Sequence, residues 1–141
     1  MSVEFCDTNV LVYAYDATAG DKHSQARSLV ERLWQEGNGA ISIQVMQEFF
    51  VTVTRKVGEP IEPRTARAIL ADLATWRVIA PLASDVLEAI DDAERWRLSF
   101  WDAMIVAMAR RAEAHVLWSE DLQHGQNFDG VTVRNPLRVS G

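Results

Sequence analysis

Apolar and polar positions follow two rhythms along this chain. A short run from Val3 to Cys6 reads as a strand and meets Asp7, Thr8 and Asn9 at its end. The apolar run Val10 to Tyr15 then reads as a helix, which Thr8 or Asn9 can cap by accepting from free helix N–H groups. From Asp21 to Glu36, the residues Ala26, Leu29, Val30, Leu33 and Trp34 recur at three- and four-residue steps, the spacing of one helix face. Gly37-Asn38-Gly39 stops that helix. Ala40 to Ser42 is a short second strand, and Ser42 caps a helix from Ile43 to about Val57, striped by Val45, Met46, Phe49, Phe50 and Val53. Gly58-Glu59-Pro60 breaks it. Pro63 suits a first helical turn, and Arg64 to Trp76 continues with Ala66, Ile69, Leu70 and Leu73 inward. Arg77 to Ala80 reads as a third strand closed by Pro81. Ser84 caps a helix through Val86, Leu87, Ile90 and Ala93, ending near Trp96. Leu98 to Asp102 leads into a helix from Ala103 to Arg111, whose Ala103–Ala109 run has almost no polar face. A helix apolar all round is buried in the protein or in an oligomer interface. Ala114 to Trp118 is a strand running into Ser119-Glu120-Asp121. A loop holds His124, Gly125 and Gln126, and Val131 to Arg134 is the last strand before Asn135-Pro136.

Strands alternating with helices predict an α/β fold, a three-layer α/β/α sandwich around a mainly parallel sheet. Residues 1–141 read as a single domain, with no repeat and no linker. In such a sheet all strand C-terminal tips share one edge, where ligands bind. Asp7 and Asp121 fall on that edge. Asp102 opens a helix and faces the same edge, because helices start where strands end. Glu48, about two turns into its helix, can lean over it. Each acid has a plainer role to hand: Asp7 and Asp102 suit caps or first turns, and Glu48 is a common helix former. Their shared edge is what sets them apart. Of the pair Glu120 and Asp121, adjacent side chains point apart near a strand end, and the shorter Asp121 suits a site at the tip. Ser119 then orients the loop through a local hydrogen bond to backbone.

Composition narrows the chemistry. Hydrophobic content of 48% and charged content of 24% are those of an ordinary globular chain. The net charge of −6 argues against a bulk polyanion binder. It leaves room for a nucleic-acid enzyme whose acidic centre carries cations, since bound metal reverses the local sign. The one cysteine, Cys6, excludes an intrachain disulfide and reads as a small buried hydrophobe in a reducing compartment. No basic segment precedes the first apolar run, and no apolar stretch reaches the ~18 residues of a membrane span. The expected location is the cytoplasm.

Several carboxylates in one place cannot all stay ionised without a cation. Oxygen donors of this kind select Mg²⁺ or Mn²⁺ over zinc, and His23, His115 and His124 lack zinc spacing. Carboxylate-held Mg²⁺ suits phosphodiester hydrolysis. No serine or cysteine nucleophile with a histidine base stands out.

Four segments in order resemble the PIN-domain family, and within it the VapC toxins of bacterial toxin–antitoxin pairs. Asp7-Thr8-Asn9-Val10-Leu11-Val12-Tyr13 is similar to the opening motif, Gln47-Glu48-Phe49 to the second, Trp101-Asp102-Ala103 to the third, and Ser119-Glu120-Asp121-Leu122 with Gly125 to the last. Each motif alone is weak; the ordered set spans essentially the whole chain. The resemblance implies a Mg²⁺-dependent ribonuclease acting on RNA, usually a homodimer, held inactive by a small antitoxin whose basic segment enters the acidic pocket. It implies that Asp7, Glu48, Asp102 and Asp121 are the acids, with Asn9 and Ser119 as polar supports.

Two rivals stay open at this point. A phosphoryl-transfer enzyme of the haloacid dehalogenase type also starts with an acid after its first strand, but it asks for Asp-x-Asp where this chain has Asn9, and for a lysine motif that has no match here. A non-catalytic module could use the acids to recruit a basic partner. Arg55, Lys56, Arg64, Arg67, Arg95 and Arg97 are candidate phosphate contacts, though scattered cations are commonly just solvated surface.

Overall fold

The computed structural model describes residues 2–137. In chain order it contains β1 (Val3–Cys6), α1 (Thr8–Tyr15), a 3-10 turn (Ala17–Ala19), α2 (Asp21–Glu36), β2 (Gly39–Ser42), α3 (Ile43–Arg55), α4 (Pro63–Leu73), β3 (Arg77–Ile79), α5 (Ala83–Trp96), α6 (Phe100–Arg111), β4 (Ala114–Trp118), β5 (Asn127–Phe128) and β6 (Val131–Arg134). The strands form one sheet in the order β3-β2-β1-β4-β6-β5, parallel except for the β5–β6 pair.

That order locates the ligand edge. The chain steps outward from β1 to β2 to β3, with α1 to α4 in the crossovers. It then returns past β1 to β4 through α5 and α6. Parallel crossovers are right-handed, so reversing direction puts the returning helices on the opposite face. The strand order therefore switches between β1 and β4, and the crevice lies beyond their C-terminal ends. Asp7 follows β1 directly, and Ser119 to Asp121 follow β4. The Asp7 N–H donates to Trp118 O at 2.9 Å, so the two strand ends stay paired up to the site.

The core fills both faces. Phe5, Leu11, Leu33, Ile41, Phe49 and Leu73 are fully buried, as are Ile105, Met108 and Leu117. The Ala103–Ala109 run is buried inside the chain, which supplies the apolar surroundings that such a helix requires. Glu4 is tolerated in buried β1 because it is paired. Arg32 reaches its carboxylate at 2.8 and 3.1 Å, Trp118 Nε1 at 2.7 Å and Asn38 at 3.2 Å. The Arg32 guanidinium leads in holding that carboxyl below the usual range, against the opposing effect of burial.

Several local expectations are corrected. The α1 cap is Asp7, whose Oδ1 accepts from the Thr8 N–H at 2.7 Å, rather than Thr8 or Asn9. Helix α3 ends at Arg55, and α4 ends at Leu73 rather than Trp76. The Trp76 ring instead covers β2, so close to Gly39 that a Cβ there would come within 2.6 Å of the indole. Helix α6 starts at Phe100, three residues before the expected Ala103, because Ser99 caps it. The β5 strand is too short and polar to show as a pattern, and it forms only by pairing with β6.

Helix α5 departs most. Ser84 does not cap it; Leu82 is the N-cap position, and its N–H donates to Asp85 Oδ2 at 2.7 Å. Of its apolar residues, Leu87 and Ile90 are 65% and 51% exposed while Val86 and Ala93 pack against the core, and Asp85, Ala89 and Asp92 are buried. Arg110 and Arg111, at the end of α6, supply the partners of those buried acids. Arg110 pairs with Asp92 and Glu88, and Arg111 with Asp85. A buried charge left unpaired costs about 3–5 kcal/mol, so these ion pairs are what make the buried Asp85 and Asp92 tolerable.

Candidate active site

Burial and hydrogen bonding make Asp7 the anchor of the edge. It is 5% exposed, capping α1 with Oδ1 while Oδ2 accepts from Ser119 Oγ at 2.9 Å. The plain cap role and the site role thus coincide in one side chain. Burial pushes its carboxyl up to about 7 against those two hydrogen bonds, and the charges of Asp121 and Asp102 add to the rise. Ser119, fully buried, also accepts from the N–H groups of Asp121 and Leu122.

Asp121 follows at the tip of β4. Its Oδ2 accepts from Asn9 Nδ2 at 2.9 Å, which ties it to the first turn of α1. Its carboxyl is also raised, by burial first and then by Asp102, Glu120 and Glu48. Glu120 points elsewhere: it accepts from Tyr13 and pairs with Lys22. Asp102 sits half-buried in the first turn of α6, where its N–H donates to Ser99 Oγ at 3.1 Å and its charge reaches Asp7 and Asp121. Glu48 stands exposed on α3. Its Oε1 accepts from Thr8 Oγ1 at 2.9 Å and from Gln44 Nε2 at 3.3 Å, and Gln44 also donates to Trp101 O at 3.4 Å.

All four sequence-derived acids therefore face one edge, and Asn9 and Ser119 each hold one of them. Thr8 and Gln44, which no sequence motif marks as partners of Glu48, also belong to the site. Gln44, one turn before Glu48 on α3, carried a signal in its i, i+4 spacing; Thr8 had only the appearance of a cap. Among the described residues, no three Asp, Glu, His or Cys side chains stand close enough to hold one metal ion as placed. Three of the four acids are instead held by a neighbour, Asp7 by Ser119, Asp121 by Asn9 and Glu48 by Thr8. The donor set still fits a hard divalent cation. It is all oxygen, and the carboxyls of Asp7 and Asp121 are raised first by burial and then by the neighbouring acids, a charge balance that a bound cation would relieve.

The PIN-domain family model matches residues 5–127. The chain belongs to the PIN-domain family. No curated protein matches this PIN domain in sequence. Solved structures do match in fold. A toxin–antitoxin complex from Klebsiella pneumoniae superposes with a TM-score of 0.67 at 21% identity, covering 96% of this chain and 98% of that one. A sarcin–ricin loop cleaving VapC toxin from Mycobacterium tuberculosis gives 0.64 at 22%, covering 84% and 89%. A DNA-bound VapBC structure from Salmonella typhimurium gives 0.65 at 15%, covering 96% and 99%. Among the described residues of this PIN domain, no helix is long and apolar enough to cross a membrane.

Proposed function

We propose that this PIN domain is a Mg²⁺- or Mn²⁺-dependent endoribonuclease and the toxin of a toxin–antitoxin pair, working in the cytoplasm. The observation that carries the reading is the meeting of Asp7 and Asp121 at the strand-order switch, each on its own polar support, with Asp102 near enough to raise both. Asp7, Asp102 and Asp121 would hold the cation, with Glu48 at the outer side. When bound, such an ion supplies Lewis-acid activation of water and of the phosphate. The protein's own groups set the geometry. Ser119 keeps Asp7 turned to the edge, Asn9 fixes the Asp121 carboxylate, and Thr8 with Gln44 holds Glu48 over α1.

Partners follow from the surface. A groove of about 460 Å³ lined by Ile43, Met46, Phe50, Val51 and Leu70 runs between α3 and α4, one turn from Glu48. It suits the apolar face of an antitoxin helix, whose basic segment would then reach the acids. A homodimer has a different face than the sequence indicates. The Ala103–Ala109 helix is spent on the core, and Leu82, Leu87 and Ile90, at the start and along the outer side of α5, form an exposed apolar group that a second copy could cover. The dehalogenase-type rival loses its ground, because Asn9 donates to Asp121 instead of supplying a second acid.

The test is cleavage of total RNA by the purified chain, with EDTA, with Mg²⁺ or Mn²⁺ restored, and with Asp7→Ala as control. Cleavage is expected only with metal and only in the parent. Undiminished cleavage in EDTA would overturn the reading.

A further inference from the structure

Glu120 stands beside Asp121, yet its carboxylate is engaged on the far side of the loop. Oε1 accepts from the Tyr13 hydroxyl at 3.0 Å, and Oε2 receives the Lys22 ammonium at 2.7 Å. That ammonium also lies 5.0 Å from the centre of the Tyr13 ring, so the three side chains form one closed group. Tyr13 and Asn9 are one turn apart on α1 and share a face. Three consecutive residues after β4 therefore each grip the first strand–helix unit: Ser119 holds Asp7, Glu120 holds Tyr13, and Asp121 is held by Asn9. Ser119 and Asn9 grip the loop at its deep side; Glu120 is the tie at its outer side, reaching α2 as well as α1.

A carboxylate bridging a phenol and an ammonium fixes both the distance and the direction of its own backbone. The next residue inherits that placement. An exposed ion pair contributes little to stability by itself, and Lys22 keeps nearly half of its side chain in solvent. Stabilisation is thus a weak account of the group, and geometry a better one.

We propose that Glu120 is a positioning residue: held by Tyr13 and Lys22, it fixes the backbone from which Asp121 reaches the acidic edge. In its metal arm this rests on the reading of Asp121 as a metal-holding acid; in its geometric arm it does not. Ligand supports of this kind typically change metal affinity by about 10- to 100-fold when removed.

The experiment uses the full chain and the variants Glu120→Ala, Tyr13→Phe and Lys22→Met, with Asp121→Ala as reference. Side-chain amide resonances of Asn9 are recorded without metal, Mn²⁺ binding is measured by calorimetry, and metal-free melting is followed in parallel. Glu120→Ala is expected to move the Asn9 amide toward its position in Asp121→Ala and to weaken Mn²⁺ binding about 10-fold or more, with melting little changed. Tyr13→Phe, which removes only the hydroxyl, moves both in the same direction by less. Unmoved Asn9 resonances in Glu120→Ala overturn the proposal; should that variant not fold, unmoved resonances in Tyr13→Phe do so. Affinity that falls only in step with melting temperature also overturns it, since that assigns Glu120 a merely structural role. If the parent binds no Mn²⁺, the metal reading of the site fails by itself, and the Asn9 resonances still decide the positioning role.

Discussion

Ser119 joins the two halves of the site by donating its hydroxyl to Asp7 Oδ2 at 2.9 Å, across the boundary between β4 and β1. The same oxygen accepts from the Asp121 and Leu122 N–H groups at 3.2 and 3.3 Å. One fully buried hydroxyl thereby orients one acid and shapes the turn that carries another. Ser119→Ala leaves the buried carboxyl short of a donor and two amides short of an acceptor. The expected loss is about 2–3 kcal/mol of stability in urea unfolding, with the Asp7 carboxyl rising further above its present value of about 7. A loss below about 0.5 kcal/mol, the range of an ordinary surface change, would count against this role.

Asp7 makes the metal-free protein less stable as pH rises. Its folded carboxyl titrates near 7 against an ordinary 3.8. Between those values the folded state keeps a proton that the unfolded chain has released. Stability therefore falls as pH rises through that window, and the full cost stands above about 7. Asp7→Asn keeps an oxygen to accept from the Thr8 N–H and removes the charge. The variant is expected to gain on the order of 2–4 kcal/mol at pH 8, with the gain shrinking toward zero at pH 4, while RNA cleavage is lost. Chemical unfolding at both pH values checks this, and a variant weaker than the parent at pH 8 would make Asp7 chiefly a cap.

Asp121→Asn is expected to need at least about 10-fold more Mg²⁺ for RNA cleavage or to lose it, since Asn9 can still bond the amide oxygen while the charge is gone. Cleavage rates over a Mg²⁺ titration measure it. A titration midpoint equal to that of the parent would remove Asp121 from the metal.

The α5 helix gives opposite expectations for its two faces. Arg110→Ala strands the buried Asp92 and should cost about 3–5 kcal/mol. The pair Leu87→Ser and Ile90→Ser should change monomer stability by less than about 1 kcal/mol, because both are exposed, yet weaken self-association in sedimentation. Severe destabilisation by the serine pair would mean that α5 faces inward as its apolar pattern suggests.

The sequence by itself determined the alternation of strands and helices and the mainly parallel sheet, and with them the placing of Asp7 and Asp121 at strand ends. These rest on local signals: apolar spacing, breakers, and the rule that strand tips in a parallel sheet share one end. The nearby caps were legible only in part: Ser42 was readable, Asp7 stood beside Thr8 and Asn9 as one of several candidates, and Leu82 gave no signal, so packing chose among neighbours. Tertiary structure alone decided what touches what. Nothing near Glu4 in sequence foretells Arg32 and Trp118, nor does anything near Glu120 foretell Tyr13 and Lys22. It likewise left Leu87 and Ile90 of α5 in water while burying Asp85 and Asp92, whose partners Arg111 and Arg110 lie 26 and 18 residues away in sequence, and a buried carboxylate without its partner is costly.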